Sequence, residues 1–328
     1  MTFQSKLNDE YITDPKNNRL TIYPIKNPKL WEAYKQQQAA FWTAEEIDFS
    51  KDYDHFQRLT TNEQHFIKMV LAFFSSADTI VNINIGERFI KDVQLREAIV
   101  AYNYQMMMEN VHNETYSLQI DNIIRDPTEK EKTLNAIAEY PCISKKAKWA
   151  LKYIESDKSF AYRLIVFAIV EGVFFSGSFC SIFWLKQKNV MPGLCSSNEL
   201  IARDEGMHTN FALLLYSMIK NKIPEDEVHE IFKEAVEIET EFIIDSLPCA
   251  LLGINSNSMT DYIKYVADRL MSELGYNKLY GVKNPFDFME KISMEGKTNF
   301  FDSRPTQYQK SSVMNKTREN SFEMTEDF

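Results

Sequence analysis

Arg203-Asp204-Glu205-Gly206-Met207-His208 decides how this chain is read, because Glu205 and His208 stand three residues apart inside a stretch of helical period. That spacing places both side chains on one helix face, about one turn apart. The arrangement occurs once more upstream, as Glu109-Asn110-Val111-His112, again within a long helical pattern. The chain has only five histidines, His55, His65, His112, His208 and His229, so the repeated pair suggests one shared metal site. Asp226 and His229 share the spacing but lie in the charged first turn of a helix, where acids favour the helix dipole, and that pair is rejected.

Working outward, other carboxylates interrupt apolar helical stripes. From Thr61 to about Lys91 apolar residues recur at Ile67, Leu71, Phe74, Val81 and Ile85, and Asp78 fills the gap between them. Such an acid is costly unless it is hydrogen-bonded to a neighbouring Ser or Lys, or bound to a metal. Leu164 to Leu185 carries a single charge, Glu171. Its length alone permits a membrane span. A helix buried on all sides in a bundle is the preferred reading, because the other helices are amphipathic and Glu171 then has a use as a ligand.

Between residues 28 and 295 the remaining pattern is helical. One helix is expected from about Leu95 to Ile124, with Gln105, Glu109, His112 and Tyr116 on one face. Two shorter helical patterns cover Thr128 to Ile154 with a break at Pro141. Ser196 and Glu199 offer a capping box for the helix of Glu205 and His208, as Thr43 and Glu46 do near Trp42. A helix from Pro224 to Ser246 carries Glu234, Glu237, Glu239 and Glu241, which read as a solvated face. A last helix runs from about Met259 to Leu274, with Gly275 just beyond its end. Residues 1–27 read as irregular, 28–295 as the helical domain and 296–328 as a polar, flexible tail.

Composition limits the function classes. With 37 basic and 47 acidic residues the net charge is -10, and no Lys/Arg-rich run is present, so a nucleic-acid or anionic membrane surface is not expected. The N-terminus lacks an apolar signal region, and Cys142, Cys180, Cys195 and Cys249 form no C-x-x-C pair. Both features fit a cytoplasmic protein with reduced thiols.

Asp78, Glu109, His112, Glu171, Glu205 and His208 therefore come from four helices, two giving a lone acid and two a Glu-x-x-His pair. That is the ligand pattern of dinuclear carboxylate bundles, in which four negative charges balance two divalent ions. The fold class expected is all-α, a ferritin-like helical bundle with a dinuclear metal site in its four-helix core. Tyr116 lies one turn beyond His112, where a phenol beside a redox metal is oxidisable.

These residues resemble those of the small, radical-generating subunit of class I ribonucleotide reductase, of the eukaryotic or eukaryotic-virus type. The resemblance is carried by Phe41-Trp42-Thr43-Ala44-Glu45-Glu46, Ser76-Ala77-Asp78, the two Glu-x-x-His segments with Tyr116, Val170 to Phe179, Gly296 to Phe301 and the final Phe322 to Phe328. It implies two iron ions per chain, with manganese suiting the same ligands, and oxygen plus an electron donor to make a radical on Tyr116. Phe175, Phe179 and Ile201 match the apolar pocket around the radical, and Trp42, Asp204 and Tyr308 match the transfer route. The resemblance further implies a homodimer and a large partner subunit, docked through Phe322 and Phe328, that reduces ribonucleotides to deoxyribonucleotides. A di-iron oxidase acting on acyl chains and an iron-storage bundle are the rival readings of the metal site alone.

Overall fold

The computed structural model describes residues 10–246 and 255–289. Cys249, Tyr308, Phe322, Phe328 and the expected boundary at 295/296 lie outside the described residues. Among those residues there is no strand. The helices of ten or more residues are α1 (Pro28–Ala39), α2 (Thr61–Asn84), α3 (Arg96–Ile123), α4 (Pro141–Ile154), α5 (Phe160–Ile169), α6 (Ser176–Gln187), α7 (Pro192–Ser217), α8 (Glu225–Ser246) and α9 (Ser256–Leu274).

Local signals set most boundaries. Thr60 and Glu63 form a reciprocal capping box at the start of α2, Pro28, Pro141 and Pro192 occupy first turns, and Gly275 ends α9 at φ 92°. α2 packs along α3, α3 also meets α7, and α5 lies against α7. α4 and α8 pack on each other and on α2, outside that core.

Four expectations need correction. The apolar stretch around Glu171 is not one regular helix: α5 and α6 are separated by a widened π turn at Val170–Phe174, and α2 passes through another at Ile85–Phe89. Residues 127–154 hold three helices rather than two, Pro127–Leu134, Ala136–Glu139 and α4. Ser196 and Glu199 lie inside α7, whose N-terminus is capped from a distance. Asp52, fully buried, accepts from the N–H groups of Gly193 (2.9 Å) and Leu194 (2.7 Å) and from the Gln119 amide on α3 (2.8 Å). One carboxylate thus ties together the two helices that carry the Glu-x-x-His pairs. Finally, Glu239 is not solvated: it is fully buried and pairs with Lys146 of α4 at 2.6 Å.

Two stretches, Thr61–Asp92 and Phe160–Gln187, are long and apolar enough to cross a membrane. Their most apolar windows are 67% and 94% buried within the protein, which places Phe160–Gln187 inside the bundle as the sequence suggested.

Candidate metal centre

Four elements converge on one point. α2 supplies Asp78, α3 supplies Glu109 and His112, the widened turn supplies Glu171, and α7 supplies Glu205 and His208. None of the six is more than 3% exposed. They fall into two overlapping groups, Asp78, Glu109 and His112 in one and Glu109, Glu171, Glu205 and His208 in the other, with the ligand atoms of each group within 4.8 Å of one another. Glu109 belongs to both.

The imidazoles turn the same edge inward. His112 Nδ1 lies 3.1 Å from Glu205 Oε1 and 3.4 Å from Glu109 Oε2, and His208 Nδ1 lies 2.9 Å from both Glu205 Oε2 and Glu109 Oε1. Behind Glu171, Gln105 of α3 donates to Oε1 at 3.2 Å. Both carboxylate oxygens of Asp78 and Oε2 of Glu171 have no hydrogen-bond partner. Each buried acceptor left so costs about 1–3 kcal/mol, a penalty that a bound cation removes.

The electrostatics agree. Burial pushes the Asp78 carboxyl well above the usual carboxylate range, and the neighbouring Glu109 adds to it. Glu171 is raised likewise by burial and then by Glu205 and Glu109. Burial opposes charge on His208, but Glu109 and Glu205 outweigh it and hold the imidazole at about 9. Burial acts on Glu205 too, yet the neighbouring Glu171 and the contact with His112, with His208 beside it, keep that carboxyl well below its usual value. Acids that keep protons and imidazoles that gain them describe a cluster short of positive charge. The donor set of four carboxylates and two imidazoles suits two divalent ions.

Asp204 stands behind His112. Its Oδ2 accepts from Trp42 Nε1 at 2.7 Å and faces His112 Nε2 at 3.2 Å, which fixes the imidazole with Nδ1 toward the cluster. Oδ1 accepts from Arg203 Nε at 3.1 Å and Nη2 at 2.9 Å, and the same guanidinium donates to the Ala40 carbonyl at 2.6 Å, fastening the segment that leads to Trp42. The Trp42 and His112 rings stack with centroids 5.9 Å apart and 21° between planes.

Tyr116 is 1% exposed, and its hydroxyl has no hydrogen-bond partner. Burial, reinforced by Asp78, pushes the phenol well above its ordinary value, so it rests protonated. Phe74 lies parallel to it, 4.6 Å between centroids with 1° between planes. Phe175 and Phe179 pack on Phe74 at 5.5 Å and 4.9 Å, and Ile201 is fully buried one turn before Glu205. Sequence reading placed Phe74 on the core stripe but missed it as the partner of Tyr116; its position four residues before Asp78 was the available signal. It placed Gln105 on the ligand face without giving it a role, and it missed Asp52, which carries no recognisable motif.

A helical bundle in which two Glu-x-x-His helices and two lone carboxylates enclose one buried cluster is a ferritin-like protein whose site fits two metal ions. The family model for the ribonucleotide reductase small chain matches residues 19–285, and the protein belongs to that family. It is 52% identical over 315 residues to the ribonucleoside-diphosphate reductase small chain of Nicotiana tabacum, covering 95% of this sequence and 96% of that one. It is 51% identical over 321 residues to the Homo sapiens ribonucleoside-diphosphate reductase subunit M2, covering 98% of this sequence and 82% of that one. Among solved structures, the ribonucleotide reductase Rnr4 homodimer of Saccharomyces cerevisiae superposes with a TM-score of 0.79 at 37% identity, over 89% of this protein and 94% of that one. The protein is therefore a component of an oxidoreductase, with a large subunit as its implied partner.

Proposed function

We propose that the six-residue cluster holds two metal ions and that Tyr116 is the residue from which this protein generates a stable radical for its large subunit. The carrying observation is the buried phenol of Tyr116, unpartnered and stacked on Phe74, beside a cluster in which both oxygens of Asp78 and Oε2 of Glu171 lack partners. When bound, two iron or manganese ions supply oxygen chemistry at the cluster, with an electron donor completing the reduction. Tyr116 supplies one electron and its phenolic proton to that reduction of oxygen. Phe74, Phe175, Phe179 and Ile201 keep water and reductants from the resulting phenoxyl.

Asp204 and Trp42 connect His112 to α1 and the segment after it. Proton and electron movement along His112, Asp204 and Trp42, and onward through Tyr308, carries the oxidising equivalent to the large subunit for reduction of ribonucleoside diphosphates. Phe322 and Phe328 dock there, on a polar tether. The Rnr4 relative was solved as a homodimer, and the same assembly is proposed for this protein. Three described cysteines are free and buried, in keeping with the reducing cytoplasm.

Reconstitution with the cognate large subunit tests the reading. The parent protein should support reduction of ribonucleoside diphosphates, and Tyr116→Phe should reduce turnover to background while taking up the same metal. Full turnover by Tyr116→Phe would overturn it.

A further inference from the structure

The ion pair between Lys146 and Glu239 lies outside the helices that supply the ligands, yet it reaches the turn that carries one of them. Both side chains are at most 1% exposed. Burying two charges costs several kcal/mol each before their attraction is counted, and apolar replacements of such pairs are often neutral or stabilising. Stability alone therefore does not explain why the pair is here.

Its geometry gives a reason. Lys146 Nζ sits 2.6 Å from Glu239 Oε2 and donates to the Phe174 carbonyl at 2.7 Å. Phe174 closes the widened turn Val170–Phe174, in which the helical carbonyls fall out of regular register. The Val173 carbonyl is taken by Ser176 Oγ at 2.6 Å, so the last two carbonyls of the turn are both held by side chains. Glu171 lies inside this turn. The ammonium also rests 3.3 Å from the centre of the Phe73 ring and 4.1 Å from that of Phe242. Phe73 in turn packs on Phe175 at 5.7 Å, part of the aromatic wall around Tyr116. There is no slack on the far side: a Cβ added at Gly177, in the first turn of α6, would lie 2.8 Å from Glu239 Oε1 and 2.8 Å from Ile243.

We propose that Lys146, held by Glu239, is a positioning residue for the metal centre: its tether to the Phe174 carbonyl fixes the widened turn and so aims the Glu171 carboxylate. The inference rests on the reading of Glu171 as a metal ligand. Glu239 supplies the charge that keeps the ammonium in place, and Lys146 supplies the contact that matters to the metal.

The test uses the metal-free full-length protein titrated with Co(II), followed by its visible absorption bands, with unfolding by urea alongside. Lys146→Met should bind Co(II) about 10–100-fold more weakly with altered bands, the effect expected when a support behind a ligand is lost. The double variant Lys146→Met with Glu239→Leu removes both buried charges, should fold as the parent does, and should show the same loss. Glu239→Gln removes the charge that holds the ammonium in place and should also weaken Co(II) binding. Parental affinity and bands in the folded double variant, or in a folded Glu239→Gln protein, would overturn the inference alone. A parent protein that takes up no Co(II) would overturn the metal-site reading and this inference with it.

Discussion

Trp42 donates its indole N–H to Asp204 Oδ2 at 2.7 Å, joining residues 162 positions apart in the sequence. The same oxygen faces His112 Nε2, so a single carboxylate oxygen orients a cluster imidazole on one side and an oxidisable indole on the other. These two jobs can be separated by substitution.

Asp204→Ala should weaken divalent metal binding about 10–100-fold, because the His112 ring loses the acceptor that fixes its orientation. Trp42→Phe should leave metal affinity unchanged yet lose turnover with the large subunit. Metal titration and coupled turnover assays measure the two effects, and parental turnover in Trp42→Phe would remove Trp42 from the route.

Metal uptake should release protons. His208 is held at about 9 in the metal-free cluster, above the ordinary imidazole value, so its ring is charged at neutral pH and must lose a proton to become a ligand. Affinity should therefore weaken progressively as pH falls below about 9. Calorimetric Mn(II) titrations in buffers of differing ionisation heat would show the released protons, and identical heats at neutral pH in all buffers would contradict the assignment.

Asp52→Ala should destabilise the metal-free protein by about 2–4 kcal/mol, since two backbone N–H groups of α7 and the Gln119 amide lose their buried acceptor. The urea midpoint should fall without a change in slope. A midpoint within error of the parent would show that water replaces the carboxylate at little cost.

The cluster was more legible in the sequence than its scaffolding, and the reason is physical. Glu109, His112, Glu205 and His208 declare themselves through a spacing of one helical turn, and Asp78 and Glu171 through the misfit of an acid in an apolar stripe. Asp52 offered no such mark: it caps α7 from 141 residues away, so the local Ser196 and Glu199 pattern looked the better cap. Glu239 was hidden among the exposed acids Glu237 and Glu241 of α8, and only the fold brings it to Lys146. The widened turn at Val170–Phe174 was invisible to a regular 3.6-residue count, because the stretch around it is apolar and buried on all sides and offers no polar face against which a shift of phase would show.

Removing Phe322 to Phe328 should abolish binding to the large subunit while leaving metal content unchanged, because the six cluster residues lie far upstream in the sequence. Surface-captured large subunit offered both forms would decide this. Equal affinity of the two forms would assign docking to another surface.

The most direct test of the central claim is an electron paramagnetic resonance spectrum taken after the metal-free protein is loaded with Fe(II) without oxygen and then exposed to air, with Tyr116→Phe in parallel. The account predicts a tyrosyl signal in the parent that is absent from Tyr116→Phe, with about two irons per protomer in both. Iron bound and oxidised in the parent with no tyrosyl signal, or the same signal in both proteins, would contradict it.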